Sequence, residues 1–220
     1  MNKSKDDIIS DIAKVIGPLL EKKGFLRKKN YFELNDNIGN TYQYEIYISK
    51  SKGYFTLHLR LKLLNKSLMK EVNKVLEKTL LDKDYSYPNN WCDRDINTSI
   101  KTRINDFCVA MVTDWRCFKE ENETLEDFRK RFSIWMCVFD DINEIDNWKE
   151  QLIKSLEFAE KWFLNVGSHQ WVIDNTLYPA MYILKKEEKN TELNGKYEEV
   201  LSKVRSEDEV KLFFNYLNML

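Results

Sequence analysis

Histidine is the scarcest source of chemistry in this chain, with only His58 and His169. Four cysteines, at 92, 108, 117 and 137, stand at irregular spacing with no C-x-x-C pair. Together they offer no frame for a zinc site, so reduced thiols and no metal are expected. The six glycines are isolated, each suited to a turn or a helix cap, and no phosphate-cradling glycine loop exists. There is no G-x-S-x-G elbow and no H-E-x-x-H pair. A catalytic constellation is not expected from such a chain, nor a cofactor. The acidic pairs Asp6–Asp7, Asp140–Asp141 and Glu187–Glu188 are expected to cap or solvate helices rather than work as paired acids.

An excess of one charge is missing too: 35 basic residues meet 36 acidic ones, for a net charge of −1. A dedicated nucleic-acid binder carries a positive surplus, because phosphate neutralisation dominates its affinity. No apolar run approaches the length of a membrane span. The opening MNKSKDDIISDIAKVIG scatters its charges where a signal peptide needs a continuous apolar core, so a cytoplasmic protein is expected. Neither an internal repeat nor a low-complexity linker is present.

What is present is 43% apolar residues over 220 positions, enough for a sizeable core. Ile8, Ile12, Val15, Ile16, Leu19 and Leu20 recur at helical spacing, predicting a helix over 4–23 that ends at Gly24, with Pro18 kinking or breaking it near Gly17. Three strands with period-2 patterns follow. Phe32 and Leu34 are expected to meet Tyr44 and Tyr42. A turn through Ser51, Lys52 and Gly53 would set Ile48 against Phe55, Ile46 against Leu57 and Glu45 against His58.

Further on, Leu68, Val72, Val75, Leu76 and Leu80 mark an amphipathic helix, and 82–100 reads as a long loop. The apolar stretch 132–139 fits a strand or a helix, with the strand favoured. From Asp141, with Glu144 in cap spacing, a helix is expected to about Asn165. Three more helices are expected over 178–188, 192–204 and 207–219, the last capped by Ser206 and Glu209. The fold class expected is α+β: an N-terminal helix on an antiparallel meander, then a helical C-terminal half. The expected organisation is an α+β domain over 1–165 with a helical extension over 166–220 packed on it as one unit.

The stretch VIGPLLEKKGFLRKKNYFEL resembles the opening of the family called domain of unknown function 4304. Leu20, Lys22, Gly24, Phe25, Tyr31 and Phe32 stand where that family has its helix-ending glycine and aromatic strand. IKTRIND and FSIWMCVFDD are similar to its Arg-containing segment and its Trp-bearing strand. The similarity spans roughly 5–165 and is specific over the first thirty or so residues. It implies the fold order above and an uncharacterised, mostly bacterial setting, and it assigns no catalytic residue.

Two groups are candidate binding residues. The polar face of the meander is expected to gather Arg27, Lys29, Tyr31, Glu33, Glu45, Tyr47, Tyr54, His58, Arg60 and Lys62. Tyrosines among basic residues on an open sheet can stack bases or hold an anion; ordinary cross-strand ion pairs, or helices covering the face, are the plainer account. Trp91, Arg94, Arg103, Trp115 and Arg116 form a second candidate rim, of residue types enriched at binding hot spots. The leading expectation is a non-enzymatic binding protein with a protein partner and no membrane association. It would serve as an immunity or accessory factor in bacterial conflict. The alternative is a nucleotide- or nucleic-acid-binding module on the sheet face.

Overall fold

The computed structural model describes residues 3–204 and 206–220, with the side chains of Leu59 and Cys117 left out. The expected place of Leu59 on the apolar face and the state of the Cys117 thiol lie outside the described residues. In chain order the elements are α1 (Lys5–Glu21), β1 (Leu26–Arg27), β2 (Tyr31–Asn35), β3 (Asn40–Ser51), β4 (Tyr54–Asn65), α2 (Lys66–Leu80), α3 (Asp93–Ile104) and β5 (Cys108–Val112). Then come α4 (Leu125–Arg131), β6 (Val138–Phe139), α5 (Trp148–Val166), α6 (His169–Asn175), α7 (Tyr178–Lys186), α8 (Asn190–Lys203) and α9 (Glu207–Asn218). The class is α+β, with an antiparallel sheet and a helical C-terminal half.

These elements form two compact units, Met1–Leu64 with Ala110–Val166 and Asn65–Val109 with Gly167–Leu220. Each unit is discontinuous in sequence, residues 65–109 grouping with Gly167–Leu220.

In the first unit, Ser4 and Asp7 cap α1 reciprocally: Asp7 N–H donates to Ser4 Oγ and Ser4 N–H to the Asp7 carboxylate. The helix is continuous through Pro18, so the expected break does not occur. It ends where Gly24 takes φ +87°. There Gly24 N–H donates to the Glu21 carbonyl and Phe25 N–H to that of Leu20, the two bonds of a Schellman close. The chain then reverses into the sheet.

The strand order is β1-β2-β3-β4-β5, with β6 also pairing with β4. Phe32 stands opposite Tyr44 and Leu34 opposite Tyr42, as the alternation predicts. The Asp36 carboxylate fixes that turn by accepting from the backbone N–H groups of Ile38 and Asn40.

The next hairpin differs from expectation. Its turn has two residues, Lys52 and Gly53, both at positive φ, as a type I′ turn requires. Ser51 therefore faces Tyr54, and counting back places Tyr47, not Glu45, across from His58. The ring centroids of Tyr47 and His58 are 5.7 Å apart. A bend at Lys29–Asn30 also divides the first of the three expected strands into β1 and β2.

Tyr44, Ile46, Ile48, Phe55, Leu57 and Leu61 are buried on one sheet face. Over them lie Ile8, Ile12, Ile16 and Leu20 of α1 and Leu152, Leu156 and Ala159 of α5, in one apolar cluster. Each such side chain contributes about 1.5–3 kcal/mol on leaving water. Segment 125–139 is helix α4, capped by Thr124, then a short 3-10 turn at Ser133–Trp135 and only the two-residue strand β6. The helix expected from Asp141 is also interrupted. A 3-10 turn at Ile142–Glu144 precedes Asn147, whose φ of 52° breaks the path before α5 begins at Trp148.

In the second unit α2 is capped by Asn65, whose Oδ1 accepts from Leu68 N–H. Val72, Leu76 and Leu80 of α2 are buried, as are Met181 and Leu184 of α7, Leu193 and Val200 of α8, and Phe213 and Leu217 of α9. The loop expected over 82–100 gives way to α3, and buried Asn73 holds its end by donating to the carbonyls of Ile104 and Asp106. α6 was not expected from the sequence either.

Candidate binding surface

β-Strand alternation puts Tyr31, Glu33, Glu45, Tyr47, Tyr54, Thr56, His58, Arg60 and Lys62 on the sheet face away from α1 and α5. Tyr54 is 54% exposed and Tyr47 39%, so this end of the face is open to solvent. β6 adds an apolar edge to it. Val138, 65% exposed, stands opposite Thr56, while its neighbour Phe139 is buried opposite Phe55.

The charges of the face largely neutralise one another. Lys62 Nζ lies 2.5 Å from Glu45 Oε2, an ion pair lacking hydrogen-bond geometry. Lys28 Nζ lies 3.2 Å from Glu33. Arg60 instead lays its guanidinium 4.2 Å from the centroid of the Tyr47 ring and makes no ion pair among the described residues. His58 Nε2 lies 3.0 Å from Ser49 Oγ. Partial burial, and then the nearby Arg60 charge, hold the His58 imidazole below its ordinary range, so it is neutral at pH 7.

Two expected members are elsewhere. Arg27 stands opposite Phe32, and so on the apolar side of the sheet, because the bend after β1 breaks the alternation. Lys29 sits exposed in that bend. The basic residue that does reach the polar face is Lys28, through Glu33. Alternation counted without the bend assigns these three lysine and arginine positions one step out of phase.

The Trp/Arg rim divides between the units. In the first, Trp115 is buried and its ring stacks 5.4 Å from that of Trp135, while exposed Arg116 is held by both oxygens of Asp114. Both residues line a cleft of about 530 Å³. In the second unit Trp91, Arg94 and Arg103 line a shallow cleft along α3. Trp91 stacks on Tyr87, and Arg94 is exposed. Arg103 is committed to Glu209, which also accepts from the hydroxyls of Tyr85 and Tyr178. Ser206 makes no cap bond with its side chain, so the expected capping box at α9 is not formed.

His169, which shows no partner in the sequence, pairs with Glu187 at 2.6 Å. Cys92 and Cys137 are free thiols. Among the described residues no helix is long and apolar enough to cross a membrane. Comparison with known proteins finds no matching family model, no matching curated protein and no matching solved structure. Fold and surface define an α+β protein with a largely self-neutralised sheet face that is open at its Tyr47–Tyr54 end and edged there by exposed Val138.

Proposed function

We propose that this chain is a non-enzymatic binding protein whose outer sheet face docks a protein partner around Tyr47, Tyr54, Arg60 and Val138. One observation carries the reading: Arg60 is the strand cation of this face without an ion pair among the described residues, and it lies over an exposed tyrosine. Arginine and tyrosine side by side, with an apolar neighbour, make the anchor type that dominates protein interfaces. The chemistry it fits is a carboxylate flanked by an apolar side chain on the partner. A nucleic acid asks for several free cations in a row, and here Lys28 and Lys62 are already engaged.

A cytoplasmic role as an immunity or accessory factor is part of the same proposal. It is supported by the similarity of the first thirty residues to the domain of unknown function 4304 family. The test is recovery of the tagged chain from its host. A stoichiometric protein partner, lost in Tyr47→Ala and in Arg60→Ala, is expected. Recovery without such a partner, or with one that both variants retain, contradicts the reading. Retention of an oligonucleotide that weakens steeply with salt would favour the nucleic-acid alternative instead.

A further inference from the structure

A second site stands apart from the sheet face, in the cleft lined by Trp115 and Arg116. Its volume, about 530 Å³, suits a small organic ligand. Trp135 lines it at 9% exposure, and the Trp135 indole N–H is buried without a hydrogen-bond partner among the described residues. Buried donors are nearly always satisfied, and an orphan of this kind marks a place where an acceptor is still to be supplied.

The rest of the lining agrees in sign. Arg116 is neutralised by Asp114, whereas Arg129 is exposed and makes no ion pair among the described residues, leaving the cleft with one uncompensated positive charge. Ser133 adds a hydroxyl whose oxygen accepts from Gln151 Nε2, so its own proton is free to be donated. Leu125 and Met136 supply apolar wall. Donors and a cation on one side, with apolar and aromatic surface on the other, describe a receptor for an acceptor-bearing anion with an apolar body.

We propose that this cleft binds a small apolar carboxylate. Its carboxylate lies on Arg129 and accepts from the Trp135 indole, and its body lies against Leu125 and Met136. Arg129 supplies a planar fork matched to a carboxylate.

The test uses the full chain labelled with nitrogen-15 and titrated with benzoate, acetate and benzylamine. The Trp135 indole resonance is identified by its loss in Trp135→Phe, or by sequential assignment of the wild-type chain should that variant not fold. Benzoate is expected to move that resonance downfield to saturation, as a new hydrogen bond requires. Arg129→Gln, a change at an exposed position, is expected to weaken benzoate about ten-fold, the scale of one charge-assisted contact. Acetate should bind more weakly than benzoate, and benzylamine should not move the resonance. The proposal is overturned if benzoate leaves the indole unmoved up to about 10 mM. It is equally overturned if Arg129→Gln binds as wild type, or if acetate or benzylamine matches benzoate.

Discussion

Arg103 and Glu209 lie 106 positions apart and join α3 to α9 through two parallel hydrogen bonds, with Nη1–Oε2 at 2.9 Å. The Glu209 side chain is 12% exposed and that of Arg103 33%. Glu209 thus gives both oxygens to Arg103 and to the hydroxyls of Tyr85 and Tyr178, which tie a third and a fourth segment to the same carboxylate.

Removing either partner strands the other. Glu209→Ala is expected to cost about 2–3 kcal/mol, below the range for fully buried pairs because Arg103 is partly solvated. Urea denaturation of Glu209→Ala, Arg103→Ala and the double variant checks this. A coupling of about 1–2 kcal/mol is expected from the cycle, and additive single losses would show that the pair does not act as one.

The same carboxylate sets an acid limit. Burial opposes its charge, but the bonds from Arg103, Tyr178 and Tyr85 outweigh burial and hold Glu209 below its ordinary value of 4.5. A depressed folded-state value means the stabilisation is complete above 4.5 and is lost as pH falls through the folded value. Stability measured against pH should therefore drop on acidification below that point, and Glu209→Gln should flatten the drop. Tyr85 is pushed up to about 12 by burial and by Glu209, so its share of the stability is lost only as pH rises above 10.

Beneath the sheet, the hydroxyl of fully buried Tyr44 lies 3.1 Å from Ser155 Oγ, and Ser155 also donates to the Leu152 carbonyl. The two deletions should differ. Tyr44→Phe leaves Ser155 satisfied and should cost about 0.5–1.5 kcal/mol. Ser155→Ala leaves the tyrosine hydroxyl alone in the core and should cost about 1–3 kcal/mol. Chemical denaturation of the two variants side by side decides it; equal losses would mean that the tyrosine hydroxyl finds another partner.

Two glycines seven positions apart, one inside α1 and one just past its end, should respond with opposite sign. A Cβ on Gly17 would meet the Phe32 ring at 3.6 Å, ordinary contact, inside a continuous helix. Gly17→Ala should stabilise by about 0.5–1 kcal/mol. Gly24 stands at φ +87° with Leu34 Cδ1 at 3.4 Å from the same ideal position. Gly24→Ala should destabilise by about 1–2 kcal/mol. Thermal melts of the two variants check both.

How far the sequence reached follows from which periodicity it carried. Strict alternation through Phe32, Leu34, Tyr42 and Tyr44 leaves one pairing that puts all four on the core side of the sheet, and that pairing forms. The pairing expected for the next hairpin is two residues out of register with the turn that forms, in which Lys52 at φ 49° and Gly53 suffice to reverse the chain. α3 escaped notice because DRDINTSIKTRI buries only Ile100 and so shows no apolar stripe. Its signal was Asp95, whose carboxylate accepts from the Cys92 backbone N–H three positions back. Glu209 misled in the opposite way, since a residue in cap spacing is drawn instead to a cation far along the chain. Of the candidate site, Tyr47, Tyr54, His58 and Arg60 fell where alternation put them. Val138 did not announce itself, because its exposure depends on a two-residue strand inside an apolar run.

The most direct measurement of the account is a photo-crosslinking amino acid placed at Tyr54, with a control at Leu164, which is 83% exposed on α5 of the same unit. In host cells the account predicts one discrete, nuclease-resistant protein adduct from position 54, abolished by Arg60→Ala and absent from position 164. Equal adducts from both positions, an adduct destroyed by nuclease, or one indifferent to Arg60→Ala would contradict it.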